Sequence, residues 1–217
     1  LGRLQAGACE HAAASSLVFG VHFATSSADV LRTPRLTVEQ VAAVHAPLLA
    51  DFFRHNDAHL ARWDPPRPAG IQTLEFWQAE CERAVDEINE GLVARWVIRL
   101  RDEPQVIGRI NYTQIARGPF QSCVLGYALD AEYQGRGLMR ESLEATIAHT
   151  FDVLRLHRIQ ANYMPSNIRS GRLLRKLGFK REGVALSYLY IDGAWRDHVV
   201  TALINPHFDD AVFKPKS

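Results

Sequence analysis

The stretch EYQGRGLMRESLEATI, Glu132 to Ile147, sets two glycines one residue apart between a strand-like segment and a strongly helical one. A turn of this kind gathers unpaired backbone N–H groups and the positive end of a helix at one point, which is a setting for phosphate. Gly135 and Gly137 suit it because a residue without a Cβ adopts positive φ, or lets the backbone approach an anion closely. On these residues alone two readings stand open: a phosphate cradle, or no more than a tight turn. Two familiar nucleotide motifs are set aside. A P-loop needs Gly-Lys followed by Ser or Thr, whereas Gly137 is followed by Leu138-Met139; a dinucleotide fingerprint needs a third glycine where Arg140 stands.

Working outward, the segments ARWVIRL, QVIGRINYTQI and SCVLGYAL before the turn are β-branched or aromatic runs. They are divided by RDEP and ARGPF, both suited to hairpins. After the turn the pattern predicts a helix over Leu138 to Phe151, the strand HRIQANYM, and a helix from Asn167 to Leu177. Two closing strands follow, ALSYLYI and WRDHVVTALI, joined at Asp192-Gly193, a strong hairpin signal. Toward the N-terminus, PRLTV is a short strand candidate. VEQVAAVHAPLLADFFRHN is expected to be helical, with Pro47 marking a break or a helix start. RWDPPRPAG, Arg62 to Gly70, must be a loop. In the next segment Leu74, Trp77, Cys81, Val85 and Ile88 recur at spacings of three and four before Gly91, which predicts a further helix. Antiparallel strands, then strand-helix-strand crossovers, then a hairpin imply one α/β domain on a mixed sheet. Its expected bounds are 31–206, with an N-terminal extension over 1–30 and a C-terminal tail over 207–217.

The 217 residues are 47% hydrophobic, enough for one sizeable core, and 25 Lys plus Arg stand against 24 Asp plus Glu. Such balance does not favour wholesale binding to nucleic acid or an anionic membrane. Cys9, Cys81 and Cys123 are odd in number, with no CxxC pair and no zinc spacing. Neither a disulfide scaffold nor a metal site is expected, and a reducing cytoplasm is. The apolar run SSLVFGVHFA, Ser15 to Ala24, is too short to span a bilayer and lacks a basic start.

Gln134-Gly135-Arg136-Gly137 after a strand resembles the Q/R-x-x-G-x-G/A coenzyme A signature of the GNAT N-acetyltransferases, with Met139 in place of the final small residue. NIRSGRLLRKLGF, Asn167 to Phe179, resembles a second element of that family, an Asn that begins a helix ending in Gly-Phe. LGYAL, YQGRGLM, LHRIQANYMPSNIRSGRLLRKLGFKREG and YLYIDGAWRDHVVTAL are most similar to the branch that acetylates the N-terminal alanine of ribosomal proteins. The resemblance is dense from about Val106 to Leu203 and looser upstream. It implies a single GNAT-like domain on a mixed, largely antiparallel sheet of about seven strands flanked by helices.

The resemblance also implies acetyl-CoA as co-substrate, with its pyrophosphate on the backbone N–H groups of Gln134, Gly135, Arg136, Gly137, Leu138 and Met139. The pantetheine arm would pair with the backbone near Tyr127 and Leu129, where two strands splay. Asn167 matches a pantetheine-bonding side chain, and is equally a natural helix N-cap. The reaction implied is attack of a neutral amine on the thioester, with an acid for the leaving thiolate. Where many relatives place a tyrosine acid, this chain has Leu174; the branch's serine three residues after the Asn matches Ser170, which is otherwise a polar residue in a first helical turn. A sister branch's glutamate base falls on Leu189, so no strong base is nominated. Tyr163, Tyr188, the run Trp195-Arg196-Asp197-His198 and Trp63 are further residues near the expected site, each also explained by packing or pairing. An α-amine, with a pKa of about 7.7 to 8, is roughly a tenth to a sixth neutral at pH 7, whereas lysine is neutral in only about four molecules per ten thousand. A site without a strong base therefore leans toward a protein N-terminus. Two further readings are an acetyltransferase for a small amine, antibiotic or polyamine, and a non-catalytic acetyl-CoA-binding module. A homodimer through the final hairpin is compatible with the sequence.

Overall fold

The computed structural model describes residues 29–214. Nearly all of the expected extension, the Ser15 to Ala24 run and Cys9 lie outside the described residues, as do the last three residues of the expected tail.

Among the described residues eight strands form one sheet: β1 Val30–Arg32, β2 Leu36–Gln40, β3 Ala94–Leu100, β4 Val106–Ala116, β5 Ser122–Leu129, β6 Arg158–Tyr163, β7 Lys180–Ile191 and β8 Ala194–Ile204. The order is β1-β2-β3-β4-β5-β6-β8-β7. Only β5 and β6 pair in parallel. A parallel pair needs a crossover, and α3, Leu138–Asp152, supplies it. The strand beyond the expected seven is β1, whose three residues are too few to carry an alternation signal. The β7–β8 hairpin turns at Asp192 and Gly193, both at positive φ (49° and 73°), the conformation that Asp-Gly favours in a two-residue turn.

The central strands bury both faces because they alternate two apolar sets, whereas β7 at the edge is largely exposed. Along β3, Ala94, Trp96 and Ile98 join one cluster with Ile110 and Tyr112 of β4, Leu143 and Ile147 of α3 and Leu174 of α4, Ile168–Lys176. Val97, between them, faces a second cluster built by α1, Ala46–Ala61, and α2, Leu74–Asn89, including Phe53, Trp77 and Cys81. Burial of each large apolar side chain contributes about 1.5–3 kcal/mol.

One expected helix is shorter at its start than the sequence predicts. VEQ belongs to β2, where Val38 and Gln40 pair with Ile98 and Trp96 and are buried. The helix begins only at Ala46, with Pro47 in its first turn, and runs on to Ala61. Proline's fixed φ suits that position, and its missing N–H has no intrahelical acceptor there to lose.

Candidate active site

The parallel pair β5–β6 is in register at Ser122 with Arg158, Cys123 with Ile159 and Val124 with Gln160, and goes no further. β5 continues to Leu129 and β6 to Tyr163, so the strands part and leave the β6-facing backbone edge of β5 open from Leu125 onward. A cleft of about 940 Å³ opens there, with Tyr127, Leu129, Gln134, Gly137, Asn167 and Ser170 in its lining.

At one end of the cleft lies the glycine turn. Buried Asp130 opens a single 3-10 turn by accepting from the Glu132 N–H, and Asn56 Nδ2 donates to its other oxygen at 2.9 Å. Gly135 and Gly137 follow at φ 77° and 78°. The left-handed conformation excludes most other residues, and it delivers the chain into α3 with Gly137 as N-cap. The first helical bond runs from the Glu141 N–H to the Gly137 carbonyl, so the amides of Leu138, Met139 and Arg140 have no acceptor within the helix. The side chains of Leu138 and Met139 point into the core, at 3% and 7% exposure. The Leu-Met pair after the glycines is therefore an anchor that leaves only its backbone for a ligand.

The Gln134 side chain crosses to both neighbours. Its Oε1 accepts from Arg169 Nη1, which turns Nε2 toward His59 Nε2 at 2.7 Å. An amide NH₂ can only donate, so His59 Nε2 accepts and carries no proton. Burial, with the charges of Arg62 and Arg169, holds the imidazole below its ordinary pKa, in keeping with that neutral form.

At the other end, the Asn167 side chain caps α4, its Oδ1 accepting from the Ser170 N–H at 3.1 Å. The cap occupies the oxygen and leaves the Nδ2 donors. The Ser170 hydroxyl lies 2.8 Å from the Tyr127 hydroxyl, which reaches from β5 across the gap to α4. Burial pushes the Tyr127 phenol up to about 12, so it stays protonated through the neutral range. The cleft lining carries one carboxylate, Asp64, against Arg62, Arg140, Arg169, Arg172 and Lys176.

Other sequence candidates stand apart. Tyr188 accepts from Asn162 Nδ2 and packs on the buried His198. Trp195 is exposed beside Tyr190. Arg196 donates to the Ile191 and Asp192 carbonyls, and Asp197 accepts from the Ser187 N–H at a bulge in β7. Arg196 and Asp197 thus hold the hairpin through separate partners. Trp63 does line the cleft. Three features had no local signal: His59, the Tyr127 hydroxyl, and Arg35, whose guanidinium holds Glu141 of α3 and the Arg136 carbonyl. Among the described residues no group of His, Cys, Asp or Glu could hold a metal, and no helix is long and apolar enough to cross a membrane.

A splayed parallel pair with a glycine turn into a helix at its mouth is the framework of a coenzyme A-dependent acyltransferase, and residues 35–180 match the family described as the acetyltransferase (GNAT) domain. The chain belongs to that family and is an N-acetyltransferase. It is 42% identical over 176 residues to the [ribosomal protein uS5]-alanine N-acetyltransferase of Escherichia coli (strain K12), covering 81% of this chain and 91% of that protein. It superposes on the ribosomal-protein-S5-alanine acetyltransferase of Vibrio fischeri with a TM-score of 0.81 at 37% identity, over 83% of this chain and 99% of that one. Mycobacterium smegmatis RimJ in complex with CoA-disulfide gives a TM-score of 0.75 at 27% identity, over 88% and 90% of the two chains.

Proposed function

We propose that this acetyltransferase takes acetyl-CoA as donor and acetylates the N-terminal α-amine of a ribosomal protein that begins with alanine. One observation carries the reading: a single cleft joins the open amides at the start of α3, the unpaired edge of β5 and the Ser170–Tyr127 hydroxyl pair. The similarity to alanine N-acetyltransferases over most of the chain supports the choice of acceptor.

In this reading the amides from Gln134 to Met139 receive the diphosphate, and the β5 backbone at Tyr127 and Leu129 pairs with the pantetheine arm as a missing strand would. Asn167 donates to that arm through Nδ2, since its oxygen is committed to the helix cap. The acceptor amine attacks the thioester carbonyl, the carbon–sulfur bond breaks, the Ser170 hydroxyl gives its proton to the departing thiolate, and the proton shed by the attacking nitrogen restores that hydroxyl. Tyr127 orients that hydroxyl. The position of the sister branch's glutamate base is held by Leu189, which pairs with Arg196 on the closing hairpin, and the one carboxylate in the cleft lining, Asp64, is engaged by Arg67 and Arg109. An α-amine, partly neutral at pH 7, needs no such base. A polycationic acceptor is disfavoured by the basic lining of the cleft. We place the reaction in the cytoplasm, a reducing setting in keeping with the free, buried thiols of Cys81 and Cys123.

The test is mass spectrometry of an acceptor panel incubated with acetyl-CoA: peptides beginning with Ala or Ser, free lysine, and polyamines. Acetyl addition to the α-amine of the Ala peptide is expected. Acetylation confined to the polyamines or to lysine overturns the reading.

A further inference from the structure

Arg35 sits in the bend just before β2, far in sequence from the glycine turn, yet it reaches the turn from outside the cleft. Its Nη1 donates to the Arg136 carbonyl at 2.9 Å, and its Nε donates to Glu141 Oε2 at 2.7 Å. The Arg35 backbone N–H and the Thr33 hydroxyl both donate to Glu141 Oε1, at 2.9 and 2.6 Å. A Cβ on Gly137 would meet Arg35 Nη2 at 3.5 Å, so the guanidinium lies directly against the turn.

Two consequences follow from elementary geometry and charge. In a trans peptide the carbonyl and the next N–H point in opposite directions, so drawing the Arg136 carbonyl toward Arg35 aims the Gly137 N–H away from it. Gly137 is among the residues that line the cleft. Glu141, in the first turn of α3, complements the helix dipole but would repel a diphosphate bound at the same helix end. Arg35 neutralises it.

We propose that Arg35 is a positioning residue for the donor's diphosphate, aiming the Gly137 amide through the Arg136 carbonyl and screening the Glu141 carboxylate from the phosphates. This rests on the diphosphate assignment made above. The side chains of Arg35 and Glu141 are 49% and 16% exposed. The Arg35 guanidinium is half exposed, so its loss adds little to the cost of folding, and a melt recorded for each variant separates its effect on binding from its effect on folding.

The experiment compares steady-state kinetics of wild type, Arg35→Gln, Glu141→Gln and the double variant, each checked for a cooperative melt. Arg35→Gln is expected to raise KM for acetyl-CoA by about tenfold while kcat at saturating donor and KM for the acceptor peptide hold within about twofold. The double variant is expected to recover part of that loss, because the unscreened carboxylate is gone; a purely structural anchor would give no recovery. Arg35→Lys, which keeps the charge but loses the fork, is expected to fall between the two and serves as the readout if Arg35→Gln fails to fold. A folded Arg35→Gln or Arg35→Lys with wild-type KM overturns the proposal, as does a double variant no better than Arg35→Gln. Gly137→Asp separates this from the underlying assignment. If that variant binds donor normally, the diphosphate reading itself fails; if it loses binding while Arg35→Gln does not, only the role of Arg35 fails.

Discussion

Hydrogen-bond capacity decides what Ser170 can do. Its backbone N–H is committed to Asn167, and its hydroxyl has one protein partner, the Tyr127 phenol at 2.8 Å. Because burial keeps that phenol protonated, Tyr127 can donate to the serine oxygen and leave the serine proton for a ligand. Ser170→Ala is therefore expected to lower kcat by about a hundredfold with acetyl-CoA affinity nearly intact. Tyr127→Phe, which frees the serine to rotate, should lower kcat by about tenfold, and the double variant should be no worse than Ser170→Ala alone. Equal kcat in Ser170→Ala excludes it as the acid; additive losses in the cycle exclude the pairing. The serine and the asparagine were singled out by the family resemblance, through a motif that spans only the cap and first turn of one short helix. The tyrosine's hydroxyl was not, since strand alternation assigns a face but cannot tell which helix will cross it.

Helices α3 and α4 fix the two ends of the cleft by different means. At α3 a left-handed glycine sets the direction of the helix, so the end presents backbone alone. Gly137→Asp would strain the turn and put a carboxylate among the amides, and calorimetry is expected to find acetyl-CoA binding abolished in a folded variant. Unchanged affinity would remove the phosphate assignment. At α4 the constraint is contact. A Cβ on Gly171 would come within 2.6 Å of the Tyr163 ring, so β6 and α4 meet only because that residue has no side chain. Alanine would gain about 1 kcal/mol in helix propensity, but overpacking is worth about 1–3 kcal/mol in the other direction. Gly171→Ala is expected to lower the melting temperature and, by displacing Ser170, kcat. A higher melting temperature with full activity would show the contact to be slack. Gly137 stood in the sequence as a turn glycine suited to positive φ, whereas Gly171 lay unremarked inside an expected helix, and only the tertiary structure shows its steric need. The first helix teaches the converse. VEQVAAVHAPLL carries helix-like apolar spacing, yet pairing with β3 claimed its first residues for the sheet, and Pro47 marked the true start.

The described residues place two apolar clusters on one sheet, and of this the single α/β domain on a mixed sheet followed from alternation and the order of segments. What the order could not give were connections made across long separations: Arg35 to Glu141, Asn56 to Asp130, and His59 to Arg169 through Gln134. All three converge on the same turn, so the segments before it, where family resemblance is looser, supply the scaffold of its most recognisable motif. The parting of β5 and β6 has a mechanical side as well. Three residue pairs are all that stitch β1–β5 to β6–β8 along the sheet, leaving α3 and its neighbours to hold the halves in line. A donor lying in that seam would bridge the two flaps like a splint. Amide hydrogen exchange should therefore slow in β6 and β8, well away from the phosphates, when acetyl-CoA is added. Protection confined to the glycine turn would mean the flaps were already rigidly joined without it.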